Sequence, residues 1–273
     1  MTADFESCRA AALQILSVPG AAADPARLTE VIALLREAAD LLPAGHPERA
    51  GYLSNVGNVH RMRYTAGGGR GDLDKAIWYG QQALAAADPA DPRRAGILAN
   101  LCGTLRLRFE RSRRLADLDA AIEAGTDALR SAADDDPNRA DMNANLAIAH
   151  QARFEQAAAL SELDAAIAEA RTAVGLAGAN RWTHRSNLAG MLWLRYQRNG
   201  RPDHLDESIT AGRQAIEEAP DGDPLVAATL SHLSIALRLR FERAAGPGDL
   251  DEAITAGERG DGHGGSRAPG SSR

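Results

Sequence analysis

Arginine and aspartate recur along this 273-residue chain at spacings that favour ion pairing. Five arginines each lie eleven residues before an aspartate. A guanidinium and a carboxylate can form a bidentate, charge-assisted pair. We therefore predict a structural ladder of Arg–Asp pairs that pin hairpins or join adjacent ones, made by Arg63 and Asp74, Arg108 and Asp119, Arg153 and Asp164, Arg195 and Asp206, and Arg240 and Asp251.

The other residues that could form a catalytic, phosphate-binding or metal site are better explained as structural residues. His60 and His150 occupy a repeated position that elsewhere holds leucine, which indicates core histidines. The glycine-rich segment 67–71 follows no predicted strand, and the acidic run 134–136 lacks EF-hand spacing. Serine, histidine and aspartate share no triad or nucleophile-elbow context. We predict no enzyme activity, no metal and no cofactor.

Composition excludes several classes of partner. The formal net charge of −6 argues against a general nucleic-acid binder, and the single lysine, Lys75, excludes a Walker A loop and a polybasic anchor. No apolar run approaches the roughly 20 residues that cross a bilayer, and the N-terminus does not resemble a signal peptide. Cys8 and Cys102 have no metal-ligand spacing. We expect a cytoplasmic protein that binds neither nucleic acid nor membrane.

A repeat with a period of about 45 residues positions the recurring arginines and aspartates, so that each forms a column of equivalent positions. The motif Leu-Asp-x-Ala-Ile begins at five leucines, and a degenerate copy begins at Leu28; the successive steps are 45, 45, 45, 42 and 45 residues. Such a period predicts stacked supersecondary units. An asparagine column stands eight residues before each recurring arginine. The motif leucines are Leu73, Leu118, Leu163, Leu205 and Leu250. The asparagine column consists of Asn55, Asn100, Asn145, Asn187 and, in the last repeat, His232.

Each unit is predicted to contain a first helix (A) with the asparagine and arginine columns and a second helix (B) with the leucine motif. Small residues recur seven positions after the motif leucine, which predicts close helix crossings at Gly80, Gly125, Ala170, Gly212 and Gly257. The fold class is predicted to be all-α, a right-handed α-solenoid of about six hairpins. Residues 1–24 are expected to form an irregular N-terminal helix or cap, 25–257 the array, and 258–273 a disordered Gly/Ser/Arg tail.

The chain resembles the long tetratricopeptide-like repeats found N-terminal to CHAT (caspase-like) domains in actinomycete and fungal proteins. The resemblance is carried by residues 101–122 and 233–254, with their Phe-Glu-Arg and Asp-Leu-Asp-x-Ala-Ile segments, and covers roughly residues 26–257. It implies a tetratricopeptide-like scaffold whose A helices line a concave groove. No caspase-like domain is present in the sequence.

That groove gives a candidate function to one polar column of helix A. We predict that the column forms a ridge that contacts a protein or peptide; its members are Arg61, Arg106, Gln151, Trp193 and Arg238. An aromatic residue on such a row fits a peptide anchor. The alternative is pairing within the helix, because Glu110, Glu155 and Glu242 lie four residues later. The predicted function is a non-catalytic interaction scaffold, with a caspase-like effector as a partner that the resemblance implies; alternatively, the chain is the sensory fragment of a CHAT-type protease.

Overall fold

A computed structural model of the chain describes residues 4–178, 180–220, 223–244, 246 and 248–264, and every regular element in these ranges is helical. One short 3₁₀ turn, Ala21–Ala23, accompanies the α-helices. Their bounds are α1 Phe5–Leu16, α2 Pro25–Leu41, α3 Arg49–Thr65, α4 Asp72–Ala86, α5 Arg94–Ser112, α6 Leu115–Ser131, α7 Arg139–Ala157, α8 Leu160–Leu176, α9 Arg181–Asn199, α10 Pro202–Glu218, α11 Pro224–Ala244 and α12 Asp249–Gly264.

The chain divides into two compact units, residues 1–149 and 150–273, with the boundary inside α7. Consecutive helices pack against one another from α1 to α6 in the first unit and from α8 to α12 in the second. The A helices of successive hairpins also touch, α3 with α5 and α9 with α11. Helices that contact mainly their neighbours in sequence are typical of stacked repeats. This arrangement confirms the predicted all-α fold of helical hairpins.

The B helices bury the apolar stripe that their repeated motif predicts. Leu73, Leu118 and Leu163 are completely buried, and Leu205 is almost so. Each such leucine stabilises the fold by roughly 1.5–3 kcal/mol relative to an exposed one. The motif therefore reports packing, which explains why it recurs in every hairpin.

Two glycines of the small-residue column lie where the next A helix crosses closely. A Cβ atom on Gly80 would lie 2.6 Å from Cδ2 of Leu101, and one on Gly125 would lie 3.0 Å from Cδ1 of Leu146. Leu101 and Leu146 follow the column asparagine in the next repeat. The predicted close crossing is confirmed at these two positions. At Gly212 the nearest atom is 3.7 Å away, an ordinary contact.

Replacing Gly80 by valine is expected to lower the free energy of unfolding by about 1–3 kcal/mol, because the added methyl groups overlap Leu101. Gly103→Val is the matched control, since a Cβ at Gly103 in α5 meets nothing within 4 Å. The control should change stability by less than about 0.5 kcal/mol. Urea unfolding measures both, and equal losses would contradict close crossing at Gly80.

The last helix is longer than the sequence predicted. Helix α12 continues to Gly264, so the expected end of the array at Gly257 and the expected disorder of residues 258–264 are wrong. The reason is continued packing on α11: Gly260 is buried, and a Cβ there would lie 3.5 Å from Leu230. Residues 265–273 of the predicted tail lie outside the described residues.

The N-terminal segment forms a regular helix that pairs with the first B helix. Asp4 caps α1 by accepting a hydrogen bond from the backbone N–H of Ser7 at 2.7 Å, and α1 packs against α2. The chain therefore contributes a complete first hairpin, although α1 lacks the repeated motifs. None of the described helices is both long and apolar enough to cross a membrane.

Candidate functional site

Three recurring arginines each hold two partners with one guanidinium group. In Arg108, Nε and Nη2 donate to Oδ2 and Oδ1 of Asp117 at 3.0 and 2.6 Å, while Nη1 donates to Oδ1 of Asp74 at 2.9 Å. Asp117 opens the B helix of the same hairpin, and Asp74 belongs to the preceding B helix. Arg240 repeats the pattern with Asp249 and Asp206, and Arg63 repeats it with Asp72 and the hydroxyl of Thr29.

The predicted pairing at a spacing of eleven residues is wrong for Arg63, Arg108, Arg195 and Arg240. The partner within the hairpin lies nine residues after the arginine, directly before the motif leucine. The motif aspartate instead accepts from the arginine of the next repeat, as Asp74 does from Arg108. Because the start of helix B lies against helix A, the earlier carboxylate is buried there, whereas the motif aspartate points to the adjacent hairpin. The acid column at nine residues was visible in the sequence as Asp72, Asp117, Glu162 and Asp249.

Arg195 shows what happens when that acid is missing. His204 occupies the position in this 42-residue repeat. Arg195 directs two of its three guanidinium nitrogens to the motif aspartate of the preceding repeat, with Nε 2.7 Å from Oδ1 and Nη2 3.2 Å from Oδ2 of Asp164. Burial, together with the charges of Arg195 and Arg201, lowers the pKa of His204, as expected for a histidine beside cations. The link between hairpins thus persists without the buried carboxylate.

The two predicted core histidines extend this network. Nδ1 of His60 lies 2.8 Å from Oδ1 of Asp72, and Nδ1 of His150 lies 2.7 Å from Oε2 of Glu162. Burial lowers the pKa of His60 despite its carboxylate partner, so we assign a neutral ring that donates from Nδ1. Burial alone would raise the pKa of Asp72, but hydrogen bonds from Arg63 and His60 lower it.

His60→Leu is expected to flatten the loss of stability between pH 7 and pH 5. A histidine whose pKa is lower in the folded state stabilises the fold above its unfolded pKa of about 6.5, and this contribution is lost as the pH falls. Leu105 fills the same position in the next hairpin beside an intact arginine pair, so leucine suits the site. Urea unfolding at pH 7, 6 and 5 tests this. Identical pH slopes in both proteins would show that His60 titrates normally.

A second arginine column, which the sequence analysis missed, caps the B helices. Arg49 donates to the carbonyl of Leu42 at 2.7 Å, and Arg139 donates to the carbonyl of Ala132 at 3.1 Å. Arg94 and Arg181 make corresponding bonds to Leu84 and Ala177. A cation at a helix C-terminus stabilises the unpaired carbonyls there. The 45-residue spacing of Arg49, Arg94 and Arg139 was the available signal.

The structure pairs three members of the predicted ridge within their own helices. Arg106 pairs with Glu110, Nε2 of Gln151 donates to Glu155 at 2.9 Å, and Nη1 of Arg238 donates to Glu242 at 2.7 Å. The intrahelical alternative therefore accounts for these side-chain positions. Contact of the ridge with a partner stays a prediction.

The remaining ridge members, Trp193 and Arg61, differ from these three. Trp193 is half-buried, with its ring centroid 5.7 Å from that of Tyr196, and packs against the core of its unit. Arg61 donates to Oδ1 of Asn58 at 2.6 Å and lies near enough to Arg106 to feel its charge. Arg61 and Arg106 hold the same column on α3 and α5, two helices that contact each other in the first unit.

A groove lies between the A helices α1, α3 and α5 of the first unit. It has a cavity volume of about 640 Å³. Apolar side chains form part of the lining, and polar side chains border them. The apolar contributors include Leu13, Leu16, Val59, Met62 and Ile97, and the polar ones include Arg9, Glu48, Asn55, Asn58, Arg93 and Asn100.

Two residues of the repeated asparagine column stand in this groove with unused side chains. Asn55 and Asn100 are exposed, and within the described part of the chain neither side-chain amide makes a hydrogen bond. Each amide offers a donor and an acceptor. An extended backbone presents the same two groups in alternation. The groove can therefore hydrogen-bond a peptide main chain above an apolar floor.

The cysteines belong to the packing of the helices. Both are buried free thiols, and burial raises the pKa of Cys102 to about 12. A thiol with so high a pKa stays protonated at neutral pH and is a poor nucleophile. Among the described residues, no three His, Cys, Asp or Glu side chains converge in a way that could hold a metal ion.

Solved tetratricopeptide repeat (TPR) structures share this fold. A thermophilic TPR protein from Thermus thermophilus is similar with a TM-score of 0.54 and 20% identity, over 84% of this chain and 98% of that one. The C-terminal part of a TPR repeat-containing protein from Cytophaga hutchinsonii gives a TM-score of 0.58 and 11% identity, over 94% and 89%. At these identities the likeness defines a TPR-like helical repeat fold. No family model and no curated protein sequence matches the chain.

Proposed function

We propose that the chain is a non-catalytic interaction scaffold that binds an extended segment of a protein or peptide in the groove between α1, α3 and α5. The observation that carries the proposal is that the side-chain amides of Asn55 and Asn100 have no hydrogen-bond partner among the described residues and lie beside an apolar floor. Binding sites in proteins combine apolar surface with a few placed polar groups in this way. Recurrence of the asparagine in successive repeats gives the groove one column amide on α3 and another on α5.

Besides the amide hydrogen bonds, the apolar floor of the groove is expected to contribute to the affinity for the partner. Leu13 is 54% exposed on α1, and Met62 and Val59 extend the apolar lining along α3. A partner side chain that covers such surface gains about 25 cal/mol for each Å² of apolar area buried. Main-chain hydrogen bonds then fix the register, and the side chains that reach the floor select the sequence.

The second unit is proposed to contact the partner through the ridge column that the sequence predicted on helix A. In this unit the ridge consists of Gln151 on α7, Trp193 on α9 and Arg238 on α11. The repeat type implies a caspase-like effector as a source of the bound segment, and the two free thiols fit a reducing cytoplasm.

The proposal is tested by selecting 12-residue peptides from a random display library on the full chain and measuring their affinity for variants. The double variant Asn55→Ala, Asn100→Ala is expected to lose about tenfold or more in affinity, because two main-chain hydrogen bonds disappear. Asn187→Ala is the matched control: it changes the same column on α9, which does not line the groove, and should alter affinity by less than about twofold. Failure to select any peptide, or equal affinity for all proteins, contradicts groove binding. Circular dichroism checks that the exposed alanines leave the fold intact.

A further inference from the structure

Two apolar motif residues on the last helix of the second unit are exposed, although their counterparts on α10 are buried. Leu250 is 40% exposed and Ile254 is 52% exposed on α12. At the same motif positions on α10, Leu205 is 2% exposed and Ile209 is completely buried. Helix α11 packs on α10 and joins these two residues to the core of the unit. No described helix covers the corresponding side of α12, which is therefore an unpartnered apolar face.

The motif aspartate on this side of α12 lacks the cation that its counterparts hold. Oδ1 of Asp206 accepts from Nη1 of Arg240 on the following A helix at 3.0 Å. Asp164 accepts from Arg195 on the A helix that follows it. Asp251 is exposed, and its carboxylate makes no hydrogen bond or ion pair within the described ranges. The repeated geometry therefore leaves room at Asp251 for an arginine on a helix that lies against α12.

The recurring small residue on this side of α12 lacks the leucine that its counterpart faces. A Cβ on Gly212 would have Leu233 on α11 as its nearest neighbour, at 3.7 Å. Among the described residues, a Cβ on Gly257 would meet only Ser234 of its own hairpin, at 3.4 Å. Leu233 and Arg240 lie seven residues apart, about two helical turns, so they share one face of α11. Since the leucine reaches the small residue and the arginine reaches the motif aspartate, α11 runs antiparallel to α10.

We propose that this α12 face, formed by Leu250, Asp251, Ile254 and Gly257, binds a basic amphipathic helix of another protein. The bound helix runs antiparallel to α12, sets a leucine against the glycine and, seven residues later, an arginine against the aspartate. Its other apolar side chains cover the exposed leucine and isoleucine, and this buried apolar area supplies most of the affinity. The face belongs to the second unit and shares no residue with the groove, so the inference goes beyond the proposed function.

The charges of the chain favour a partner of different sequence over a second copy of this chain. If the N-terminal hairpin of a second copy took the position of the next repeat, Val18 would stand where the motif aspartate needs an arginine, ten residues before the degenerate motif. Glu30 would stand opposite Glu258, at positions where the second unit holds an ion pair of Arg213 with Glu252 at 2.5 Å. A missing cation and two like charges therefore oppose end-to-end stacking of copies.

The probe is a synthetic peptide with the sequence of α9, residues 181–199, which contains four arginines and no acidic residue. It carries a leucine and an arginine at the required spacing, Leu188 and Arg195. A matched peptide has Arg195→Gln. Both are blocked at their termini, labelled with fluorescein and titrated by fluorescence anisotropy against the full chain and its variants Ile254→Glu, Asp251→Asn and Leu41→Glu. Leu41→Glu is the matched control, because this leucine on α2 is similarly exposed, at 48%, and lies outside the α12 face.

We expect Ile254→Glu to weaken binding of the α9 peptide by about tenfold or more, because a charge enters the apolar contact. Asp251→Asn should weaken it by about two- to fivefold, since an exposed ion pair contributes modestly, and should not change binding of the Arg195→Gln peptide. Leu41→Glu should match wild type within about twofold. Circular dichroism checks that the exposed substitutions leave the fold intact.

Three results would overturn the inference. The first is the absence of saturable binding of the α9 peptide to wild type below about 1 mM. The second is equal binding of that peptide by wild type and Ile254→Glu. The third is self-association of wild type in sedimentation that Ile254→Glu abolishes, which would give the face to a second copy. The asparagine variant of the groove should bind the α9 peptide as wild type does, so failure of either proposal leaves the other standing.

Discussion

Arg108→Gln is expected to lower the free energy of unfolding by about 3–5 kcal/mol, because it leaves the carboxylate of Asp117 buried without a cation. The side chain of Asp117 is only 4% exposed, and its two oxygens accept from Nε and Nη2 of Arg108. Glutamine keeps part of the length of arginine but cannot supply the paired charged donors. Urea unfolding at pH 7 measures the loss.

The second carboxylate on the same guanidinium provides the control. Asp74 is 62% exposed, so Asp74→Asn removes a solvated ion pair and should cost no more than about 1 kcal/mol. A double variant, Arg108→Leu with Asp117→Leu, should recover much of the stability lost in Arg108→Gln, since it removes the buried charge. Similar losses for Arg108→Gln and Asp74→Asn would show that burial of Asp117 does not decide the energy.

Leu205→Ala is expected to destabilise the second unit by about 2–5 kcal/mol, the usual loss for a leucine truncated in a packed core. Leu205 is 2% exposed and belongs to a cluster that includes Tyr196, Ile209 and Leu237. Truncation removes apolar contacts and leaves a cavity that its neighbours fill only in part.

Leu250 occupies the same place in the next copy of the motif but is 40% exposed. Leu250→Ala should therefore cost less than about 1 kcal/mol, although sequence alone makes the two leucines equivalent. Thermal and urea unfolding of both variants compare them directly. A loss at Leu250 as large as that at Leu205 would show that the last motif is covered in solution.

The sequence was enough to predict the helical hairpins, because the period and the apolar stripe are local patterns that packing must satisfy. It also predicted the close approach at Gly80, since only a crowded crossing favours glycine inside a helix. It did not predict the arginine register. The carboxylates nine and eleven residues after Arg108 are equally possible in a linear sequence, and the path of the chain between the helices decides which one faces the arginine.

The groove was harder to predict than the fold. Helix α1 carries none of the repeated motifs, yet Arg9 and Leu13 on it form one side of the cavity. The repeat pattern could therefore indicate α3 and α5 as lining helices but not the helix that completes the groove. The asparagine column was visible as a repeat, while the lack of hydrogen-bond partners for the side-chain amides of Asn55 and Asn100 among the described residues is a property of the folded chain.

The most direct test of the proposed function is NMR mapping of a selected peptide on the full chain, through the side-chain amide signals of asparagine and the indole signals of tryptophan. Binding in the groove predicts that the signals of Asn55, Asn58 and Asn100 shift in proportion to occupancy, while the exposed Trp78 on helix α4 stays unchanged. Shifts at Trp78 with unchanged asparagine signals would contradict the account and place the partner on the B helices.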